Sequence, residues 1–331
     1  MKEAMFWEKG DGKTVQCHLC GHHCIIKEGK RGICSVRENR EGKLYSLVYG
    51  KIASVAIDPI EKKPLYHFKP RSKVLSFGTV GCNFRCTFCQ NASLSCSSPD
   101  SPYLNDLTVD ELVKKALDFD GIAWTYNEPA IDFEFSYDVS KKYKDEGGGY
   151  VVYVTNGFIE NEPLEKISPY LDAMNIDIKS MSDRFYREIV GGKVQKVLDT
   201  AVKARELGIH IEVTYLVIPE HNDSEEELRE FSKWIRDNLG EDTVTHFSKF
   251  HPSHKMKNVP ATPSSKMEQA RKIAEDVGLN FVYLGNLPAD NDTRCPNCGK
   301  AIIKRSYFSS GEPNLEDGKC PRCGRDIPII G

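Results

Sequence analysis

The cysteines constrain this chain more than any other feature. Of the 12, all but Cys96 fall into three tight groups: Cys17, Cys20, Cys24 and Cys34; Cys82, Cys86 and Cys89; and Cys295, Cys298, Cys320 and Cys323. Thiols two or three residues apart sit on one turn of chain, which suits a shared metal better than a disulfide. The N-terminal stretch MKEAMFWEKGDGK lacks the apolar region of a signal peptide, and no apolar run approaches membrane-spanning length. A cytoplasmic, non-membrane protein is therefore expected, in a compartment where thiols stay reduced and tight cysteine spacings point to metal. The formal net charge of −3 gives no overall basic field, so no nucleic-acid partner is expected.

Between the outer groups, strand-like and helix-like segments alternate. The strand candidates are 74–79, 122–126, 150–155, 174–179, 210–218, 244–250 and 280–284, several of them nearly continuous apolar runs like the strands of a covered parallel sheet. Helix starts are marked by Thr108 with Glu111, Ser224 with Glu227 and Ser265 with Glu268, each a Ser/Thr followed three residues on by Glu. Gly240 and Gly278 mark two helix ends. Repeated β–α units predict an α/β fold, a full or partial (β/α) barrel of TIM type over residues 71–289. Residues 1–70, with short strands at 43–49 and 52–57, read as a Cys-rich module, and 290–331 as a separate Cys-paired tail.

The middle cysteine group follows the first barrel strand as Cys82-x3-Cys86-x2-Cys89, with Phe88 just before the third thiol. Three thiolates on one loop can hold three irons of a [4Fe–4S] cube. With no fourth protein ligand in the motif, one iron keeps an open position, as a catalytic zinc does. In a (β/α) barrel the active site lies at the C-terminal ends of the strands. Polar groups are expected to converge there: Thr125, Tyr126, Asn127 and Glu128; Thr155 and Asn156; Asn175, Asp177 and Lys179 on one strand face; the segment from Pro219 to Asp223; and His246, Ser248 and His251.

The outer groups read as closed metal sites. Cys295-Pro-Asn-Cys298-Gly and Cys320-Pro-Arg-Cys323-Gly are paired knuckles, as in a zinc ribbon or a rubredoxin-like iron site, with zinc preferred. Cys17, Cys20, Cys24 and Cys34 could hold zinc or an auxiliary iron–sulfur cluster, or remain free thiols. Cys96 reads as a plain small residue.

The Cys82–Cys89 motif after a first strand resembles the signature of the radical S-adenosylmethionine (SAM) superfamily. That resemblance implies a [4Fe–4S] cluster whose open iron is chelated by the SAM amine and carboxylate. It also implies one-electron cleavage of SAM to methionine and a 5′-deoxyadenosyl radical that abstracts hydrogen from a substrate, with a flavodoxin- or ferredoxin-type electron donor. Tyr126-Asn127-Glu128-Pro129 resembles the segment that takes the SAM amino group in activase-like members, where Gly-Gly-Glu-Pro is usual; Tyr126 and Asn127 depart from it. Asp177 and Lys179 match an Asp-x-Lys motif that touches SAM ribose or carboxylate. Thr155 and Asn156 match a polar strand end, and His251 falls where activases of pyruvate formate-lyase carry a histidine. Over nearly its whole length, including Gly32-Ile33-Cys34, His246 to Pro252 and Tyr283 to Asn286, the chain resembles the AmmeMemoRadiSam-system radical SAM family. That family is associated with AMMECR1-like and Memo-like proteins. The resemblance leaves the substrate open, with a glycyl-radical-enzyme activase and a non-enzymatic iron–sulfur and zinc scaffold or electron carrier as alternatives.

Overall fold

Apolar runs separated by capped helices assemble into one eight-stranded sheet in the computed structural model, which describes residues 1–331. Its strands are β1 (Ser54–Pro59), β2 (Lys73–Gly78), β3 (Gly121–Trp124), β4 (Tyr150–Thr155), β5 (Ala173–Asp177), β6 (His210–Val217), β7 (Val244–Lys249) and β8 (Val282–Gly285). They lie side by side in chain order. Strands β2 to β8 are parallel and β1 is antiparallel to β2. The first and last strands do not pair, so the sheet is an open, partial barrel and not a closed one.

The covering helices are α1 (Val109–Ala116), α2 (Phe133–Asp145), α3 (Asn161–Ile167), α4 (Val194–Glu206), α5 (Glu225–Leu239) and α6 (Ser264–Val277). Thr108 and Glu111 form the full reciprocal cap expected of their spacing. Ser224 accepts from the Glu227 amide, but the Glu227 carboxylate turns inward to Ser180, the Met181 amide and Tyr215. The third expected cap is corrected: Pro263 occupies the N-cap position and no side chain caps α6, because Ser265 already lies inside the helix. Gly278 ends α6 with φ +108°, a left-handed C-cap.

The boundary of the N-terminal module also shifts. Residues 54–59, read with that module in the sequence, join the main sheet, where Ser54 to Pro59 pair with Gly78 to Lys73. The alternation of exposed Val55 and Ile57 with Asp58 is that of an edge strand with one face outward. Upstream, two three-stranded antiparallel sheets carry the first cysteines. The segment after β1 turns under the barrel, where the Tyr66 and His67 amides donate to the Glu212 carboxylate at 2.8 and 2.7 Å. The C-terminal tail packs on this same end: Ile302, Ile303 and Ile327 meet Tyr66, Val244, Phe281 and Tyr283. Val244 begins β7, so the tail covers the N-terminal ends of the strands and leaves their C-terminal ends free.

Candidate active site

At those C-terminal ends lies a cavity of about 300 Å³. Its wall includes Cys82, Cys86 and Cys89 from the loop after β2; Thr125 to Glu128 after β3; Thr155 and Asn156 at the end of β4; Asp177 and Lys179 from β5; Thr214 and Leu216 from β6; Ser248 from β7; and Asn286 after β8. The predicted residues Cys82, Cys86, Cys89, Tyr126, Asn127, Glu128, Asn156, Asp177 and Lys179 are thus brought to one cavity.

Two polar loops brace the cysteine loop. Asn127 Oδ1 accepts from the Thr79 amide at 3.1 Å and its Nδ2 donates to the Gly81 carbonyl at 3.0 Å, pinning both residues just ahead of Cys82. Asn156 donates to Asn83 Oδ1 at 2.8 Å and reaches Cys82 Sγ at 3.7 Å, while its own oxygen accepts from the Phe158 amide. Asn83 in turn donates to the Phe158 carbonyl at 2.9 Å. Both asparagines, expected as cofactor contacts, spend their amide groups largely on the loop itself. The thiols meet donors suited to thiolates: the Phe84 amide lies 3.3 Å from Cys82 Sγ, and Ser95 Oγ lies 3.3 Å from Cys89 Sγ.

The fully buried Glu128 carboxylate accepts from Thr155 Oγ1 at 2.7 Å and the Ala130 amide at 3.0 Å on one oxygen, and from the Asn156 amide at 2.7 Å on the other. A carboxylate offers about four acceptor positions, so one position remains for a donor in the cavity. Burial raises the Glu128 pKa, opposed by those three hydrogen bonds and by Lys179. Across the cavity, Lys179 Nζ lies 3.2 Å from Asp177 Oδ2. Burial alone would lower the ammonium, but Asp177 and the Cys86 thiol raise it above the usual lysine range. Burial likewise pushes Cys86 up to about 12, with Lys179 pulling it down, and drives Cys82 well above the ordinary thiol value, with Glu128 adding to the effect. Thiols so buried become ligands only when a cation is present to compensate their charge. Tyr126, at φ +73°, donates its hydroxyl to the buried Asp58 carboxylate at 2.8 Å beside the buried Lys63.

Three expectations change. His251 is exposed, its imidazole 3.5 Å from the Asn286 carbonyl, and it is not in the cavity wall. The turn from Phe250 into Pro252 directs it outward, and Asn286 lines the wall instead. His246 points to the other end of the barrel, where it bonds Glu212 at 2.7 Å beneath Tyr66 and Tyr283. Asn222 is buried but holds the Lys179 and Leu216 carbonyls from outside the cavity. Sequence reading missed Thr214 and Leu216, which follow Glu212 at every second position of β6 and so share its inward face. Pro64 also lines the wall, and nothing in its sequence context announces that.

The two outer cysteine sets differ in geometry. Cys295 and Cys323 sulfurs are 3.5 Å apart, Cys298 and Cys320 3.6 Å, and all four lie within 4.8 Å of one another. Gly299 and Gly324, both at φ +73°, close the two knuckles, a conformation natural to glycine. The Cys17, Cys20, Cys24 and Cys34 thiols stand wider apart. Cys96 ends a short helix and is exposed.

Residues 77–232 match the radical SAM superfamily. Fold, cavity and match together define an enzyme of that superfamily. The chain is 47% identical over 320 residues to uncharacterized protein MJ0808 of Methanocaldococcus jannaschii, covering 96% of this chain and 95% of that one, and it belongs to the same family. It is also 25% identical over 219 residues to the pyruvate formate-lyase-activating enzyme of Clostridium pasteurianum, covering 60% of this chain and 88% of that protein. Among solved structures, a radical SAM methyltransferase from Sphaerobacter thermophilus shares the fold with a TM-score of 0.51 at 13% identity, over 66% of this chain and 67% of that one.

Proposed function

We propose that this protein is an AmmeMemoRadiSam-system radical SAM enzyme that cleaves SAM reductively at a [4Fe–4S] cluster held by Cys82, Cys86 and Cys89. The observation that carries the reading is the pairing of three thiols, without a fourth protein ligand, with a cavity lined by the carboxylates of Glu128 and Asp177 and the ammonium of Lys179. The thiols fit a cube: they share one wall, meet amide and hydroxyl donors, and are more widely set than the ligands of a single tetrahedral metal. When bound, the cluster supplies the electron that splits SAM into methionine and a 5′-deoxyadenosyl radical.

The chain's own residues bind and orient. Glu128 has a free acceptor position for the SAM ammonium, and Lys179 offers a charged donor to its carboxylate or ribose, with Asp177 holding that lysine in place. Asn127 and Asn156 fix the thiolate loop, so that a ligand anchored on Glu128 meets the cluster site at a set distance. Leu216, Phe84 and Phe88 supply the apolar wall that keeps water from a reactive radical. The paired knuckles of the tail fit a structural zinc ion.

The hydrogen donor belongs on a partner or small molecule reaching the open rim, with AMMECR1-like and Memo-like proteins as the proposed partners and a flavodoxin or ferredoxin as electron source. A second reading, a glycyl-radical-enzyme activase, is supported by the similarity to the Clostridium activating enzyme. The test is to incubate the reduced protein and SAM with each partner separately. Deuterium transfer from a labelled AMMECR1-like or Memo-like protein into 5′-deoxyadenosine supports the first reading. A glycyl-radical signal on a co-incubated glycyl-radical enzyme supports the second.

A further inference from the structure

Cys17, Cys20 and Cys34 are each less than a tenth exposed, Cys24 is half-buried, and the Cys17 amide donates to the Cys24 carbonyl at 2.9 Å. A Cβ on Gly32, two residues before Cys34, would lie 3.6 Å from Cys24 Sγ, so the loop that carries Cys34 packs on that thiol. The buried Arg37 guanidinium stands 3.7 Å from Cys17 Sγ, a cation facing the sulfurs. This is a built thiolate site, and the same chain contains the yardstick for its occupant. The C-terminal set has contracted to the spacing of one tetrahedral metal, with all donors within 4.8 Å. The N-terminal set has not, and neither has Cys82, Cys86 and Cys89. Four corners of a cube hold their thiolates farther apart than one ion's coordination sphere does.

We propose that Cys17, Cys20, Cys24 and Cys34 hold a second iron–sulfur cluster of cubic type, placed to pass electrons to the site at Cys82, Cys86 and Cys89. The two cysteine loops pack backbone to backbone. A Cβ on Gly81, the residue before Cys82, would lie 2.6 Å from Val36 Cγ1 and 2.8 Å from the Cys34 carbonyl oxygen, so the two loops touch at the residue before Cys82. Arg85, between Cys82 and Cys86, donates to the Cys82 carbonyl at 2.7 Å, to Ser35 Oγ at 3.1 Å and to the Ile33 carbonyl. His22 Nε2 lies 2.7 Å from the Asn83 carbonyl. In the relay, the outer cluster loses one electron and the inner site gains it; a low-potential ferredoxin- or flavodoxin-type donor then restores the outer cluster. The relay rests on the radical SAM reading, whereas the presence of the second cluster does not.

The test is a metal count on anaerobically reconstituted full-length protein, with Mössbauer spectra of the iron. About eight iron and one zinc per chain are expected, and about four iron with a cubic-cluster spectrum should survive in the Cys82→Ala/Cys86→Ala/Cys89→Ala variant. About four iron and two zinc in the wild type overturns the proposal. So does a triple variant that keeps its tail zinc but binds no iron. For the relay, Cys20→Ala/Cys34→Ala should collapse the ratio of protein-donor-driven to titanium(III)-driven SAM cleavage. An unchanged ratio removes the relay and leaves the cluster count to stand or fall by itself.

Discussion

Glu128→Gln separates the binding role of this carboxylate from its structural one. The side chain is buried, and three of its acceptor positions are filled by Thr155, Ala130 and Asn156. The amide keeps one oxygen, which can hold Thr155 and Ala130, but presents N–H to the Asn156 amide and nothing to a ligand ammonium. A hydrogen bond to a charged group contributes about 1.5–3 kcal/mol, which corresponds to roughly 10- to 150-fold in Kd for SAM. The opposed N–H groups cost a further 1–3 kcal/mol, roughly, in folding stability, and a chain of this size loses about 1–2 °C of melting temperature per kcal/mol. The thiols and their donors are untouched, so iron content should match the wild type. Equilibrium dialysis of SAM against anaerobically reconstituted protein, with iron analysis and a melting curve on the same sample, reads all three quantities. Wild-type SAM affinity with full iron would refute the assignment of the free acceptor position to the ammonium. Lost iron would show instead that Glu128 mainly shapes the cluster loop.

Asn127→Ala should lower iron per chain and melting temperature together, since it frees the Thr79 amide and Gly81 carbonyl ahead of Cys82; colorimetric iron against a wild-type standard checks it. Cys298→Ser should remove the tail metal and lower thermal stability while SAM binding persists, because the tail covers the opposite end of the barrel; zinc analysis beside SAM dialysis decides. The buried Glu212 carboxylate is opposed by burial but is held below the usual carboxylate range by His210 and His246. Its stabilising contribution is therefore complete above an unfolded value of about 4.3 and is lost as pH falls through the lower folded value. Glu212→Gln should destabilise at neutral pH and flatten the acid limb of a denaturation-versus-pH curve; an unchanged acid limb would show that other carboxylates set it.

Much of the architecture was legible because the barrel strands are buried runs of β-formers ended by polar residues, and each of the seven predicted strands lies within two residues of an observed one at its start. The local signals failed where tertiary contacts outbid them. Glu227 left its expected cap for Ser180 and Tyr215, and Ser265 was overtaken by Pro263 one residue before the helix. Thiol spacing along the chain located the site, and strand-end polarity found Glu128, Asp177 and Lys179. What spacing could not convey was direction: His246 and Ser248 share one face of β7, yet the first lies in the floor of the barrel and the second in the cavity. His251, one turn further on, is carried outside altogether. The roles of Asn127 and Asn156 were likewise hidden, since their partners Thr79, Gly81 and Asn83 come from another loop.

The central claim is that three thiolates and the facing cavity make SAM cleavable. The direct measurement is 5′-deoxyadenosine formed by the anaerobically reconstituted, reduced protein with SAM, for the wild type and for Cys86→Ala. The account predicts product from the wild type and none from the variant. Equal product from both, or no product from an iron-loaded wild type supplied with SAM, reductant and the proposed partners, would contradict it.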